Sequence, residues 1–177
     1  MHYESSLELT SSEYSVESTG LADMSEIIEL SQREPDALIK LDPADLAEWI
    51  LNGDSLVVRD SAGRVVAHYA AQRWPASGAV ELRTAIVHPD HRGHGINTAM
   101  LEQLVAKLHD EGIEPFVMTR PAAQSRGILE RAGGVARPLD EIPDEVFSYC
   151  PNDCYRRTDR DCGCVVYRLR STKADND

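Results

Sequence analysis

The chain has 177 residues, which suits a single domain with its own core. Its formal net charge is −12, and residues 1–60 hold 14 of the 30 acidic side chains but only 3 of the 18 basic ones. A surface of that sign repels nucleic-acid phosphates and anionic lipid, so neither nucleic acid nor membrane is expected as a partner; it either draws in a cationic amine or serves only to keep the domain solvated.

No stretch approaches 18 apolar residues, and MHYESSLELTSSEYS has neither a basic start nor an apolar run, so the expectation is a cytoplasmic protein without a leader or span. Residues 1–12 and 172–177 are expected to be tails around one domain at 13–171. Tyr14–Glu17 alternates like a short strand, and Leu21, Met24, Ile27, Ile28 and Leu30 fall on one side of a helix running to Arg33. Asp42-Pro43 is a cap followed by a first-turn proline. The helix it opens presents Leu46, Trp49, Ile50 and Leu51 and stops at Asn52-Gly53. Ser55–Arg59 and Val65–Ala71 flank Asp60-Ser61-Ala62-Gly63-Arg64, a hairpin signal. Pro75–Gly78 then turns the chain into a further strand from Glu81.

The stretch ELRTAIVHPDHRGHGINTAMLEQLVAKL, Glu81 to Leu108, organises the remainder. Its apolar run is short and β-branched, so it reads as a strand, which Pro89 ends. Two glycines follow within Arg92–Asn97, after which Ile96, Met100, Leu101, Leu104, Val105 and Leu108 repeat at helical spacing. A glycine turn feeding a helix N-terminus brings backbone amides close to a ligand at the positive end of the helix dipole, a place for a pyrophosphate. Neither G-x-x-x-x-G-K-[ST] nor G-x-G-x-x-G is present.

Val87-His88-Pro89 followed by Arg92-Gly93-His94-Gly95-Ile96-Asn97 resembles the coenzyme A loop of the GNAT (general-control-type N-acetyltransferase) superfamily. The last position departs, since Asn97 replaces a glycine or alanine. The resemblance implies an α/β (by some schemes α+β) fold: a mixed, mostly antiparallel central sheet flanked by helices, with strands 4 and 5 splayed. It also implies acetyl-CoA as cosubstrate. Arg92, Gly93, His94, Gly95, Ile96, Asn97 and Thr98 would take the pyrophosphate, and main-chain groups of Ala85, Ile86 and Val87 the pantetheine arm. Downstream, Pro115–Thr119 reads as a fifth strand and Ala122–Ala132 as a helix ending at Gly133-Gly134.

N-acetyl transfer needs a proton acceptor for the amine. Glu81, eleven residues before Arg92, resembles the position where the histone-acetylating branch of the family carries its general base, and an outward-facing glutamate is the competing reading. The family's proton-donating tyrosine has Leu129 in its place; Tyr149, Tyr155, Ser125 or water are the substitutes. His88, His91 and His94 read as loop side chains before metal ligands. Cys150, Cys154, Cys162 and Cys164 form a turn-rich insertion before a closing strand, Val165–Leu169. Four thiolates can close a tetrahedral structural zinc site, with an iron–sulfur cluster or unligated thiols as alternatives.

The expected activity is therefore transfer of acetyl from acetyl-CoA to a primary amine, a small molecule or peptide, preferably cationic. The alternative is a catalytically weak acetyl-CoA-binding or zinc-stabilised interaction protein on the same scaffold. Monomer and homodimer both stay open.

Overall fold

The computed structural model describes residues 13–33, 41–119, 123–148 and 164–170. In chain order the elements are β1 (Tyr14–Ser18), α1 (Met24–Gln32), α2 (Pro43–Leu51), β2 (Ser55–Asp60), β3 (Val65–Trp74), β4 (Ala79–Val87) and α3 (Ile96–Asp110). They continue with β5 (Phe116–Thr119), α4 (Ala123–Arg131), β6 (Gly134–Arg137), α5 (Asp144–Ser148) and β7 (Val165–Leu169). The strands follow the order β1-β2-β3-β4-β5-β7-β6. β1/β2, β2/β3, β5/β7 and β6/β7 pair antiparallel, while β4 and β5 share one parallel bridge, Glu81↔Phe116. The expected mixed, mostly antiparallel sheet with flanking helices is what forms.

Two compact units divide the chain, one of residues 1–70 and 84–104, the other of residues 71–83 and 105–177. In the first, α1 and α2 supply Ile27, Leu46 and Trp49 to a core shared with Val57, Val65 and Ala70. Burying each of the larger of these side chains is worth about 1.5–3 kcal/mol. α2 starts where the sequence places it: Asp42 Oδ1 accepts the Ala44 amide at 2.8 Å with Pro43 in the first turn. Loss of such a cap typically costs about 1 kcal/mol. Leu51 departs from the expected apolar face and is 73% exposed. Five residues on from Leu46 it has rotated about 140° away at 100° per residue. The acidic side chains of this region do local work: Asp23 pairs with Arg59 at 2.5 Å, Glu26 accepts the Val65 amide at 3.0 Å, and Glu29 pairs with Arg33 at 3.1 Å.

In the second unit Phe116 and Val166 pack with Trp74, Ile142 and Val146, the last two delivered by a 3-10 turn at Leu139–Glu141 and by α5. Neither β6 nor α5 is legible in the sequence. β6 is four residues long with two exposed, so it offers no alternation. The α4–β6 turn demands its glycine, because a Cβ on Gly134 would lie 2.7 Å from the Leu129 carbonyl oxygen. β7 coincides with the expected closing strand, Val165–Leu169. The helix from Ile96 behaves as its spacing implies: Ile96, Met100, Leu101, Leu104 and Leu108 are each no more than 2% exposed.

Candidate active site

At the end of β4 the His88 amide still donates to the Val66 carbonyl at 2.8 Å. Pro89–His91 then makes one 3-10 turn, with the Asp90 amide donating to His88 Nδ1 at 3.2 Å. Gly93 and Gly95 follow at φ +83° and +77°, a region that costs an L-residue about 1–2 kcal/mol. Among the described residues, a Cβ on either would meet no atom within 4 Å, so the glycines serve backbone direction. α3 begins at Ile96, and the first amides of a helix have no intrahelical acceptor. Arg92, Gly93, His94 and Gly95 are exposed, Ile96 is buried, and Asn97 and Thr98 are half-buried. The residues present fit an anionic group: bare backbone, a helix N-terminus and a guanidinium meet in one turn.

Side chains brace this loop. Arg92 Nε donates to the Val87 carbonyl at 3.2 Å, and His94 Nδ1 lies 3.2 Å from the His91 carbonyl. His91 Nδ1 lies 3.0 Å from the hydroxyl of Tyr14, and the Tyr14 ring sits 5.6 Å from that of His94. This link between β1 and the loop was not read from the sequence, where 77 residues separate its ends. The histidines therefore pack as loop side chains, and no metal-holding group of three His, Cys, Asp or Glu occurs among the described residues. Asn97, the departure from the loop pattern, carries a buried Oδ1 without a hydrogen-bond partner among the described residues.

Within β4 itself, Thr84 has φ +56°, a left-handed conformation that is an outlier for a β-branched residue inside a strand. Next to it Ala85 is exposed, Ile86 is buried and Val87 is half-buried. A mid-strand residue open to solvent is what a ligand aligned on the β4 main chain would require.

Glu81 is 7% exposed, which removes the outward-facing reading. Burial pushes its carboxyl up to about 7, with the Arg83 guanidinium and the Trp74 indole pulling back only in part. Arg83 Nε is 3.7 Å from Glu81 Oε2, a loose ion pair, and the guanidinium carbon lies 5.9 Å from the Trp74 ring centroid. Strand alternation puts residues i and i+2 on one face, so the Glu81–Arg83 pairing was available from spacing. The Trp74 contact was not. A carboxyl that changes protonation near neutrality in a dry site is suited to take a proton from an amine.

The pattern of the acetyltransferase (GNAT) family matches residues 22–133. The chain belongs to the GNAT family. No curated protein sequence matches it. Solved GNAT structures share its fold. N-acetylglutamate synthase from Neisseria gonorrhoeae, complexed with coenzyme A and N-acetyl-glutamate, aligns with TM-score 0.70 at 19% identity over 89% of this chain. The present chain spans only 35% of that synthase. Rv2747 from Mycobacterium tuberculosis, in complex with CoA, aligns at 0.68 and 22% identity over 89% of this chain and 99% of its own. Diaminobutyrate acetyltransferase from Paenibacillus lautus, in complex with L-2,4-diaminobutyric acid and coenzyme A, aligns at 0.57 and 19% identity over 75% and 87%.

Against the remaining expectations for a GNAT protein, Leu129 is buried at 3% exposure and fills core where a proton donor would stand. Ser125 is half-buried in α4, and Tyr149 and Tyr155 lie outside the described residues. Tyr167, which the sequence reading passed over, has its hydroxyl 3.1 Å from Glu130 Oε1 and 3.3 Å from Arg126 Nε. Of the four cysteines, Cys150, Cys154 and Cys162 lie outside the described residues, and Cys164 is half-buried just before β7. No helix among the described residues is long and apolar enough to cross a membrane.

Proposed function

We propose that this GNAT domain transfers acetyl from acetyl-CoA to the primary amine of a small molecule. The reading is carried by the glycine turn at Arg92–Thr98, which feeds the N-terminus of α3. That turn takes the pyrophosphate, and the main chain of Ala85–Val87 takes the pantetheine arm. Glu81 is the base: as carboxylate it removes a proton from the ammonium group, directly or through one water, and frees the nitrogen lone pair. The nitrogen then attacks the thioester carbonyl and a C–N bond forms; the tetrahedral intermediate gives its second N–H proton to water, the C–S bond breaks, the thiolate is protonated from water, and Glu81 releases its own proton to solvent. The products are the N-acetyl amine and coenzyme A. The relatives whose complexes hold amino acids favour an acceptor of that size. The acidic first third favours a cationic one, although several of its carboxylates are engaged within the fold.

Glu81→Gln tests the chemistry. Turnover should fall about 10²–10⁴-fold, the range for a general base, while acetyl-CoA affinity by calorimetry stays within about twofold. Unchanged turnover removes Glu81 from the mechanism. Detectable binding without turnover on any amine would favour the weak, coenzyme-binding alternative, which the buried Leu129 supports. Gly95→Val, which forces a β-branched residue to φ +77°, should weaken acetyl-CoA about tenfold or more.

Zinc on Cys150, Cys154, Cys162 and Cys164 is proposed from the sequence. Metal analysis of the protein and of Cys154→Ser decides it: one equivalent lost with the thiol supports a structural ion, and equal metal content discards it. A cytoplasmic location is proposed on the same footing.

A further inference from the structure

His68, in the middle of β3, is fully buried and has no part in the reaction described above. Its Nε2 lies 2.9 Å from Ser55 Oγ, and Ser55 Oγ lies 2.8 Å from Thr19 Oγ1. Its Nδ1 lies 3.4 Å from Thr84 Oγ1, and the Trp49 ring lies nearly parallel to the imidazole at 20°, 6.5 Å between centroids. The groups facing it from the segment after β1, from α2, from β2 and from β4 are thus three hydroxyls and an indole. Burial pushes His68 down to about 4, with the Thr84 backbone only partly opposing, so the ring is neutral at ordinary pH.

A neutral imidazole has one N–H. Whichever nitrogen carries it, Nε2 pairs with the Ser55 hydroxyl and Nδ1 faces Thr84, so the ring bridges the two. The far end of this chain is the one non-glycine residue with positive φ among the described residues. Residues in sparsely populated backbone regions persist when their surroundings over-determine them. Beyond Thr84 the strand opens at Ala85.

We propose that His68 is a positioning residue: anchored through Ser55 to Thr19, its imidazole holds Thr84 in the left-handed conformation that leaves the Ala85–Val87 main chain open to ligand. The consequence for coenzyme binding rests on the proposed acetyltransferase reading. The conformational claim about Thr84 does not.

Two readouts test it together: the backbone NMR shifts of Thr84 in ligand-free protein, which report its φ region, and calorimetric titration with acetyl-CoA. His68→Asn places an amide near the Nδ1 position, facing Thr84, while His68→Gln places one near Nε2, facing Ser55. His68→Asn should keep the left-handed shifts and an affinity within about threefold of the parent. His68→Gln should move Thr84 toward extended values and weaken acetyl-CoA about tenfold, the scale of the strain released. Adding Thr84→Gly to His68→Gln should restore affinity to within about threefold, because glycine adopts positive φ freely. Left-handed shifts retained in folded His68→Gln overturn the proposal, as does equal weakening in both His68 variants without recovery by Thr84→Gly. If His68→Gln does not fold, Thr84→Val, which keeps the β-branched shape but removes the hydroxyl facing Nδ1, carries the same readouts at position 84: shifts moved to extended values support the proposal and left-handed shifts overturn it. If the parent protein binds no acetyl-CoA, the coenzyme reading fails, and the Thr84 shifts still decide the role of His68.

Discussion

Each unit buries an ionisable side chain, and the two are treated in opposite ways. His68 lies among hydroxyls with a partner on both ring nitrogens, and burial holds it neutral. Glu81 has a cation at 3.7 Å and is poised near neutrality at about 7. Full satisfaction without charge makes a group inert and fit to hold backbone. Burial with a loose counter-charge leaves a proton that can be exchanged in the working range. Under the proposed function, His68 bears on coenzyme affinity and Glu81 on chemistry.

The largest consequence outside catalysis is in stability against pH. Glu81 has a folded value raised from 4.5 to about 7, so between those values the folded state holds a proton that the unfolded chain releases. Its contribution is present below pH 4.5 and is lost as pH rises through 7, on the order of 3 kcal/mol. His68 has a folded value lowered from 6.5 to about 4, so the unfolded chain takes up a proton first, and stability is lost as pH falls from 6.5 to 4 by a similar amount. Between 4.5 and 6.5 the two slopes offset each other. Urea midpoints across pH 4–8 should therefore separate the variants. Relative to the parent, Glu81→Gln should gain stability as pH rises from 4.5 to 7, and His68→Asn as pH falls from 6.5 to 4. Parallel curves for parent and variants would break the contrast.

A smaller effect isolates the counter-charge. Arg83 lowers the Glu81 value, so Arg83→Met should move the inflection of turnover against pH upward from about 7, with coenzyme affinity little changed. An inflection that stays in place would assign it to another group. Smallest is Asn97→Ala, which removes a buried Oδ1 without a partner among the described residues and returns a residue type typical of the loop. The melting temperature should rise slightly, by the equivalent of about 1 kcal/mol, and acetyl-CoA should bind at least as tightly. A loss of affinity would mean that the amide itself meets the coenzyme.

Much of the fold could be read ahead of the structure because its signals are local. The cap at Asp42-Pro43, the closing strand Val165–Leu169, and the strand, glycine turn and helix around Arg92–Thr98 depend on residues a few positions apart. Short elements failed that test. β6 has too few residues to show a period, and Leu51 is apolar yet lies outside because helical rotation takes it off the α2 face.

The sequence by itself determined the family and marked the glycine turn and Glu81 as candidates, since each rests on residue types at fixed spacing along one element. Only the tertiary structure decided what those residues experience. It took folding to put Trp74 beside Glu81, to stretch Thr19, Ser55, His68 and Thr84 into one hydrogen-bonded chain, and to set Tyr14 against His91. A pKa, a strained φ and a buried hydroxyl pair are properties of what surrounds a side chain. Here those surroundings come from strands and helices far apart in the chain, where no local spacing records them.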